Sequence, residues 1–446
     1  MPEALAPVLS IGSGSAYAND RLEPAAAMAD SGRVSYMGFD CLAERTMALA
    51  HVRRRQDPST GQDERIGALV PLLRGYLSRG GKVVGNFGAA NPDAAYEEFA
   101  AHLRKVGLLG VRIGVIRGDD VHDLVTRLDC ALPELGTTVG ALGDRIVSAN
   151  AYIGALPIVD CLREDAQIVL GGRLADPSLF VGPICHELGW DLTDWDRVGH
   201  ATMVGHLLEC GVHSTGGNFE DPPYRRVPDP HNLGYPLADV EDGSVVVTKL
   251  PGTGGAVDEL TMKTQLYYEI HDPARYLTPD VTADFTGVTI EDLGDNRVRL
   301  SGARGREWPS HLKVLVGVDQ GWKAVGEMSY GGPGCVDRAR RAEEIVRARL
   351  DAFGSDIDDL RVDLQGVGSL FGDRLVGGEP TEVRLRLAVR TPNMEAARAA
   401  VHEVELLYFG PAGGGGATGS VVPALGVTPA YVPREQVRLE TEVLES

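Results

Sequence analysis

Short apolar, β-branched runs recur through the first half of the chain with helical patterns between them, and this alternation constrains the fold more than any other feature. Pro7–Gly12 (PVLSIG), Val34–Phe39, Lys82–Asn86, Val111–Ile116 and Gln167–Leu170 read as strands, with a shorter one expected at Arg145–Ala149. Ala43–Arg55 and Pro92–Val106 carry apolar residues at helical spacing, and a further helix is expected over Pro157–Arg163. Repeated strand–helix–strand units imply a parallel sheet with right-handed crossovers. Beyond His231 the pattern changes to hairpins. Ala238–Lys249 places Asp-Gly between apolar runs, Val288–Ser301 is centred on GDN, and Leu312–Tyr330 on DQGW. Helices are expected at Cys335–Ala352 and Met394–Leu407, with strands near Leu360–Gln365 and Glu382–Val389.

The expected fold class is therefore α/β. An N-terminal parallel-sheet domain, either open and doubly wound or barrel-like, occupies residues 1–235. A C-terminal α+β domain with an antiparallel sheet occupies 236–446. The Pro- and Arg-rich stretch Asp221–Pro236 is the boundary.

Composition narrows the function. The 446 residues carry a formal net charge of −20, a field that repels nucleic acid and anionic lipid. No window approaches the roughly 20 apolar residues that span a bilayer, and the N-terminus lacks the basic start of a signal peptide. The 6 cysteines are scattered without C-x-x-C spacing, which argues against a disulfide framework or structural zinc. A cytoplasmic, homo-oligomeric protein acting on a small molecule is expected, with no nucleic-acid or membrane partner.

The loops after the strands carry the chemistry. Parallel strands end along one edge, where open sheets and barrels alike bind ligands. Gly12–Arg21, Asp40–Arg45, Asn86–Pro92, Arg117–Val121, Ser148–Pro157 and Gly171–Phe180 should converge there. Asp119, Asp120 and Asp176 are the acid–base candidates. Such carboxylates suit either a divalent cation or a shared proton, and helix capping is the alternative use of each. Arg21 and Arg173 stand beside glycine and could clamp a carboxylate or phosphate, or brace the loop against Asp20 or Asp176. Asn86 and Asn150 could orient a carbonyl oxygen or simply form turns. His271, in EIHDPARYLTPD with Glu269 and Tyr276, is a reserve acid–base residue or a helix C-cap.

Gly12 and Gly14, Gly252 and Gly254 (PGTGG), and Gly413 and Gly414 (GPAGGGG) are candidate ligand-approach positions. Neither the dinucleotide fingerprint nor a Walker A sequence is present. His206 and Glu209 share a helix face in VGHLLECG, a spacing that packing explains more readily than metal binding, since two ligands are too few. Cys210 reads as a buried, inert thiol.

The ordered set GSGSAYANDR, FDCLAERTMALA, NFGAANP, SANAYIGALPIV, GGRLADPSLF, GHLLECG, KLPGTGG, EIHDPARYLTPDV and GPAGGGG resembles the acyclic terpene utilisation A (AtuA) family, from about Ile11 to about Gly416. The resemblance implies a place in the catabolism of citronellol- and geraniol-type terpenes, which passes through branched acyl-CoA thioesters. It assigns no residue roles. Some members carry a further C-terminal ferredoxin-like domain, which this chain is expected to lack. The expected function is an enzyme of the hydratase, lyase or thioester-hydrolase type acting on a branched or unsaturated acyl-CoA or the related acid. The alternative is a non-catalytic ligand-binding or assembly subunit of an acyl-CoA-processing system.

Overall fold

In a computed structural model of the chain, residues 8–352, 356–372, 378 and 380–446 are described. Pro7, at the head of the first expected strand, lies outside them. The β-branched runs pair as the alternation predicts. Leu9–Ser15, Tyr36–Phe39, Lys82–Gly85, Ile168–Gly171 and Arg112–Arg117 lie side by side in that order, each parallel to its neighbour. Both faces of these strands are buried, as suits a parallel core.

The sheet is nevertheless mixed. Pro236–Glu241 adds antiparallel to Leu9–Ser15, followed by Ser244–Lys249, Val298–Ser301 and Thr289–Asp292. Glu440–Glu445 closes the other edge antiparallel to Arg112–Arg117. The result is a ten-stranded path with two ends. The hairpins at Ala238–Lys249 and Val288–Ser301 are where their turn sequences place them, but local turn signals do not disclose which sheet a hairpin joins. Ile146–Ala151 stays outside this sheet and pairs with the long strand His311–Gly331.

That long strand replaces the hairpin expected at DQGW. Asp319 Oδ1 accepts the Gly321 amide at 2.8 Å, a turn-like contact, yet the chain runs on. Gly321 sits at φ +82°, and a Cβ there would lie 2.4 Å from the Thr391 carbonyl. The glycine thus serves a close backbone approach, not a reversal.

Two compact units result, one of Met1–Gly317 with Val427–Ser446 and one of Val318–Gly426. In the second, the helices Cys335–Ala352 and Met394–Glu405 pack on the face of Glu382–Thr391 that presents Val383, Leu385, Leu387 and Val389. Its other face carries Arg384, Arg386 and Arg390 in ion pairs with Glu327, Asp363 and Asp359.

In the first unit, Met28, Leu69, Leu73, Val83, Phe99, Ile113 and Ile168 are fully or almost fully buried around the parallel strands. Gly14 belongs to this packing. A Cβ there would lie 2.4 Å from the Phe39 ring. Gly14→Ala is therefore expected to cost about 1–3 kcal/mol through overpacking, read from the urea midpoint.

Candidate active site

The strand-end loops meet through hydrogen bonds. After Lys82–Gly85, the Asn86 side chain accepts the Cys41 amide at 2.5 Å and donates to Asp40 at 2.8 Å. After Ile168–Gly171, the Arg173 amide donates to Asp119 Oδ2 at 2.8 Å. That same oxygen accepts Asn150 Nδ2 at 2.9 Å, and Asn150 Oδ1 lies 2.8 Å from His51 Nε2. Two sets of strand ends are thereby tied, Asn86 to Asp40 and Cys41, and Arg173 to Asp119 and Asn150.

Arg173 is the hub. Its guanidinium donates to Asp176 at 2.5 Å and lies 4.3 Å from the centre of the Tyr152 ring. Its Nε and Nη1 have no hydrogen-bond partner among the described residues. The side chain is only 4% exposed. Burial works against its charge, but Asp176, Tyr152 and Asp40 outweigh burial and hold the proton firmly. Burial pushes the Asp40 carboxyl well up, Asp176 pushes it further, and Arg173 pulls it back. Burial also raises Asp176, again opposed by Arg173.

Asp119 and Asp120, adjacent in sequence, point to different places. Asp119 is buried behind Arg173, and burial pushes its pKa up to about 6. Because its folded pKa exceeds the ordinary 3.8, its contribution to stability is complete below pH 4 and is lost as pH rises through 6. Asp119→Asn keeps an acceptor for both hydrogen bonds. It is expected to flatten this decline and to raise stability at pH 7.5 by up to about 3 kcal/mol, measured by denaturant titration across pH 4–8. Asp120 accepts the His122 amide at 3.2 Å at the start of a short helix, and it lines an open cleft with Glu435–Arg438.

A cavity of about 460 Å³ opens beside Asp176. Tyr152, Asp176, His206, Glu209 and Tyr276 line it, with Glu44, Glu269 and the exposed Lys313 also on its wall. His206 and Glu209 come from the last turn of Trp195–Glu209, a helix started by the Asp194 side chain accepting the Arg197 amide. Three residues apart, they share a face. His206 Nδ1 lies 2.8 Å from Glu209 Oε1. The outer atoms, His206 Nε2 and Glu209 Oε2, have no partner among the described residues. Burial lowers the imidazole pKa to about 4. Burial, reinforced by Asp176 and Glu269, raises Glu209 well above the carboxylate range. Burial thus favours the uncharged form of both members of the pair.

The other sequence candidates lie elsewhere. His271 is exposed, although Glu269 and Tyr276 of the same segment reach the cavity. Arg21 is exposed, 3.4 Å from the His231 carbonyl, in a separate pocket with Thr253. Gly12 gives room to Met28. Gly252 turns at φ +80°, and Gly254 lets the Asp229 carbonyl approach. Gly413 and Gly414 belong to the second unit.

Burial holds Cys210 as a thiol. Among the described residues, no three His, Cys, Asp or Glu side chains are grouped to hold a metal ion. No described helix is long and apolar enough to cross a membrane.

The sequence reading paired His206 with Glu209 and gave the pair to packing. The available signal was their position. Val198–Leu208 is buried on every side, so ionisable residues at the end of such a helix need a partner or a task.

The family model described as "Acyclic terpene utilisation family protein AtuA" matches residues 9–443. Comparison with curated proteins gives no match.

Proposed function

Since the chain belongs to the acyclic terpene utilisation family AtuA, we propose that it is an acid–base enzyme of the hydratase or lyase type, acting on an unsaturated acyl thioester or the related acid in that metabolism. The observation that carries this reading is the His206–Glu209 pair, buried at a cavity with Nε2 and Oε2 both unpartnered among the described residues.

The pair can move protons in a closed relay. With Nδ1–H donating to Oε1, Nε2 is a base and Oε2–H an acid. Nε2 takes a proton from water as its oxygen bonds to the β-carbon. The π electrons pass to the α-carbon, which takes the Oε2 proton. The Nδ1 proton moves to Oε1, and the pair ends as its mirror tautomer, still neutral. No charge is created in the low-dielectric pocket, where an isolated ion would be costly. Asp176, ion-paired with Arg173 at 2.5 Å, stands on the same cavity wall as an acceptor. Lys313 lies 4.8 Å from the centre of the Tyr152 ring, with no carboxylate within ion-pair distance among the described residues, and suits an anionic group of the substrate.

The test is incubation with α,β-unsaturated acyl thioesters and acids in D2O, followed by mass spectrometry. Water added across the double bond, with deuterium at the α-carbon, is expected. Tight binding without water or deuterium uptake would reassign the cavity to a non-catalytic binding subunit.

A further inference from the structure

A second cavity, of about 750 Å³, lies in the same unit and shares Pro279 and Leu312 with the acid–base pocket as lining residues. Its other walls are mostly apolar: Leu156, Val159, Trp190, Leu192, Trp308 and Leu439. Most polar groups on its wall are already engaged, Asp191 by the Thr193 hydroxyl at 2.7 Å among them, whereas His186 comes no nearer than 4.0 Å to Glu187. Asp280 accepts the Ala155 amide at 2.7 Å and the Ser178 hydroxyl at 2.5 Å. Arg434 donates to the Pro279 and Pro309 carbonyls at 2.6 and 3.2 Å. Arg163 is paired with Asp160 at 3.2 Å. What remains for a ligand is mostly hydrocarbon, with the His186 imidazole beside it.

The tryptophans decide what kind. A guanidinium lies over each ring, Arg197 over Trp190 at 5.8 Å and Arg434 over Trp308 at 5.1 Å. Trp195 also meets Trp308 edge to face at 4.8 Å. Each ring thus has one face met by a guanidinium, and with the surrounding leucines and valine the lining suits an aliphatic chain.

We propose that this cavity receives the aliphatic tail of the molecule whose polar end lies in the acid–base pocket, and that Leu156 and Leu439 set the chain length accepted. The tail assignment rests on the acid–base reading for where the head lies. The ligand class is a medium-chain acyl compound with a compact polar head.

The test uses N-acetylcysteamine thioesters with four, six, eight and ten acyl carbons, titrated calorimetrically into the full chain. Kd is expected to fall roughly fourfold per added methylene until the cavity is filled. Leu156 and Leu439 are 55% and 37% exposed, so aspartate at either position is compatible with folding, checked by thermal melts. Leu156→Asp and Leu439→Asp should each weaken the ten-carbon thioester by roughly 30-fold or more, since the chain would desolvate a carboxylate, and so compress the ratio between four and ten carbons.

A chain-length-independent Kd in the parent, or an unchanged ratio in both variants, overturns the proposal. Chain-length-dependent binding with no hydration leaves the tail site standing and removes the acid–base reading. Hydration with no chain-length dependence does the reverse.

Discussion

His206→Gln is expected to lower the rate of water addition by roughly 10²–10⁴-fold while leaving the fold intact. Glutamine fills similar space and can still meet Glu209 Oε1 with its amide, so the buried carboxyl keeps a partner. It cannot accept a proton where Nε2 stands, and the relay stops. Glu209→Gln should lose a similar factor, because the amide neither gives the α-carbon its proton nor takes the one from Nδ1. The losses should not add in the double variant, since the pair acts as a unit. The rate should also fall as pH drops toward 4, where His206 gains a proton. A variant that keeps wild-type hydration, assayed by mass spectrometry, would remove the pair from the chemistry.

Arg173→Met is expected to show the largest loss of stability, about 3–5 kcal/mol in urea. Methionine matches the volume but leaves Asp40 and Asp176 without the cation that opposes their burial. The sign with pH follows from that. Both carboxyls already take protons more readily in the folded state, so their contribution is complete at low pH and is lost as pH rises. Without Arg173 they rise further. The deficit should therefore be widest above neutrality and narrow in acid, where neither aspartate is charged. Arg173→Lys keeps the charge without the planar fork and should fall between the two. A midpoint for Arg173→Met that matches the parent at pH 8 would show that the guanidinium is not the hub of these loops.

The parallel core was readable because its signal is local. Val83–Gly85 and Ile168–Leu170 are short apolar runs closed by glycine or a polar turn, and only a strand explains them. Strand direction brings Asn86 to Asp40 and Arg173 to Asp119, whereas the Gly12–Arg21 loop carries Arg21 to a separate pocket and Asn150 comes from a strand outside the sheet. Less was readable where meaning depends on a distant neighbour. DQGW is a turn by every local rule, yet its glycine faces the Thr391 carbonyl and the strand continues. Asp119 and Asp120 look equivalent in sequence, but one is buried behind Arg173 and the other accepts the His122 amide at the rim of an open cleft. His206 and Glu209 share a face at ordinary spacing. Only the closing of Tyr276 and Phe285 around the imidazole, with ring centres at 5.4 and 6.2 Å, makes that face an interior one.

The antiparallel strand Glu440–Glu445 closes a sheet edge beside Arg112–Arg117, and Tyr96 reaches 349 positions along the chain to bond the Glu445 carbonyl. Tyr431 lines the acid–base cavity and Leu439 the tail cavity. During synthesis the ribosome must therefore deliver the chain through Tyr431 before the first chamber, and through Leu439 before the second, has all its walls. Until translation has passed Glu445, the Arg112–Arg117 strand waits with unpaired amides and carbonyls, a stage at which a nascent chain is prone to join the wrong neighbour.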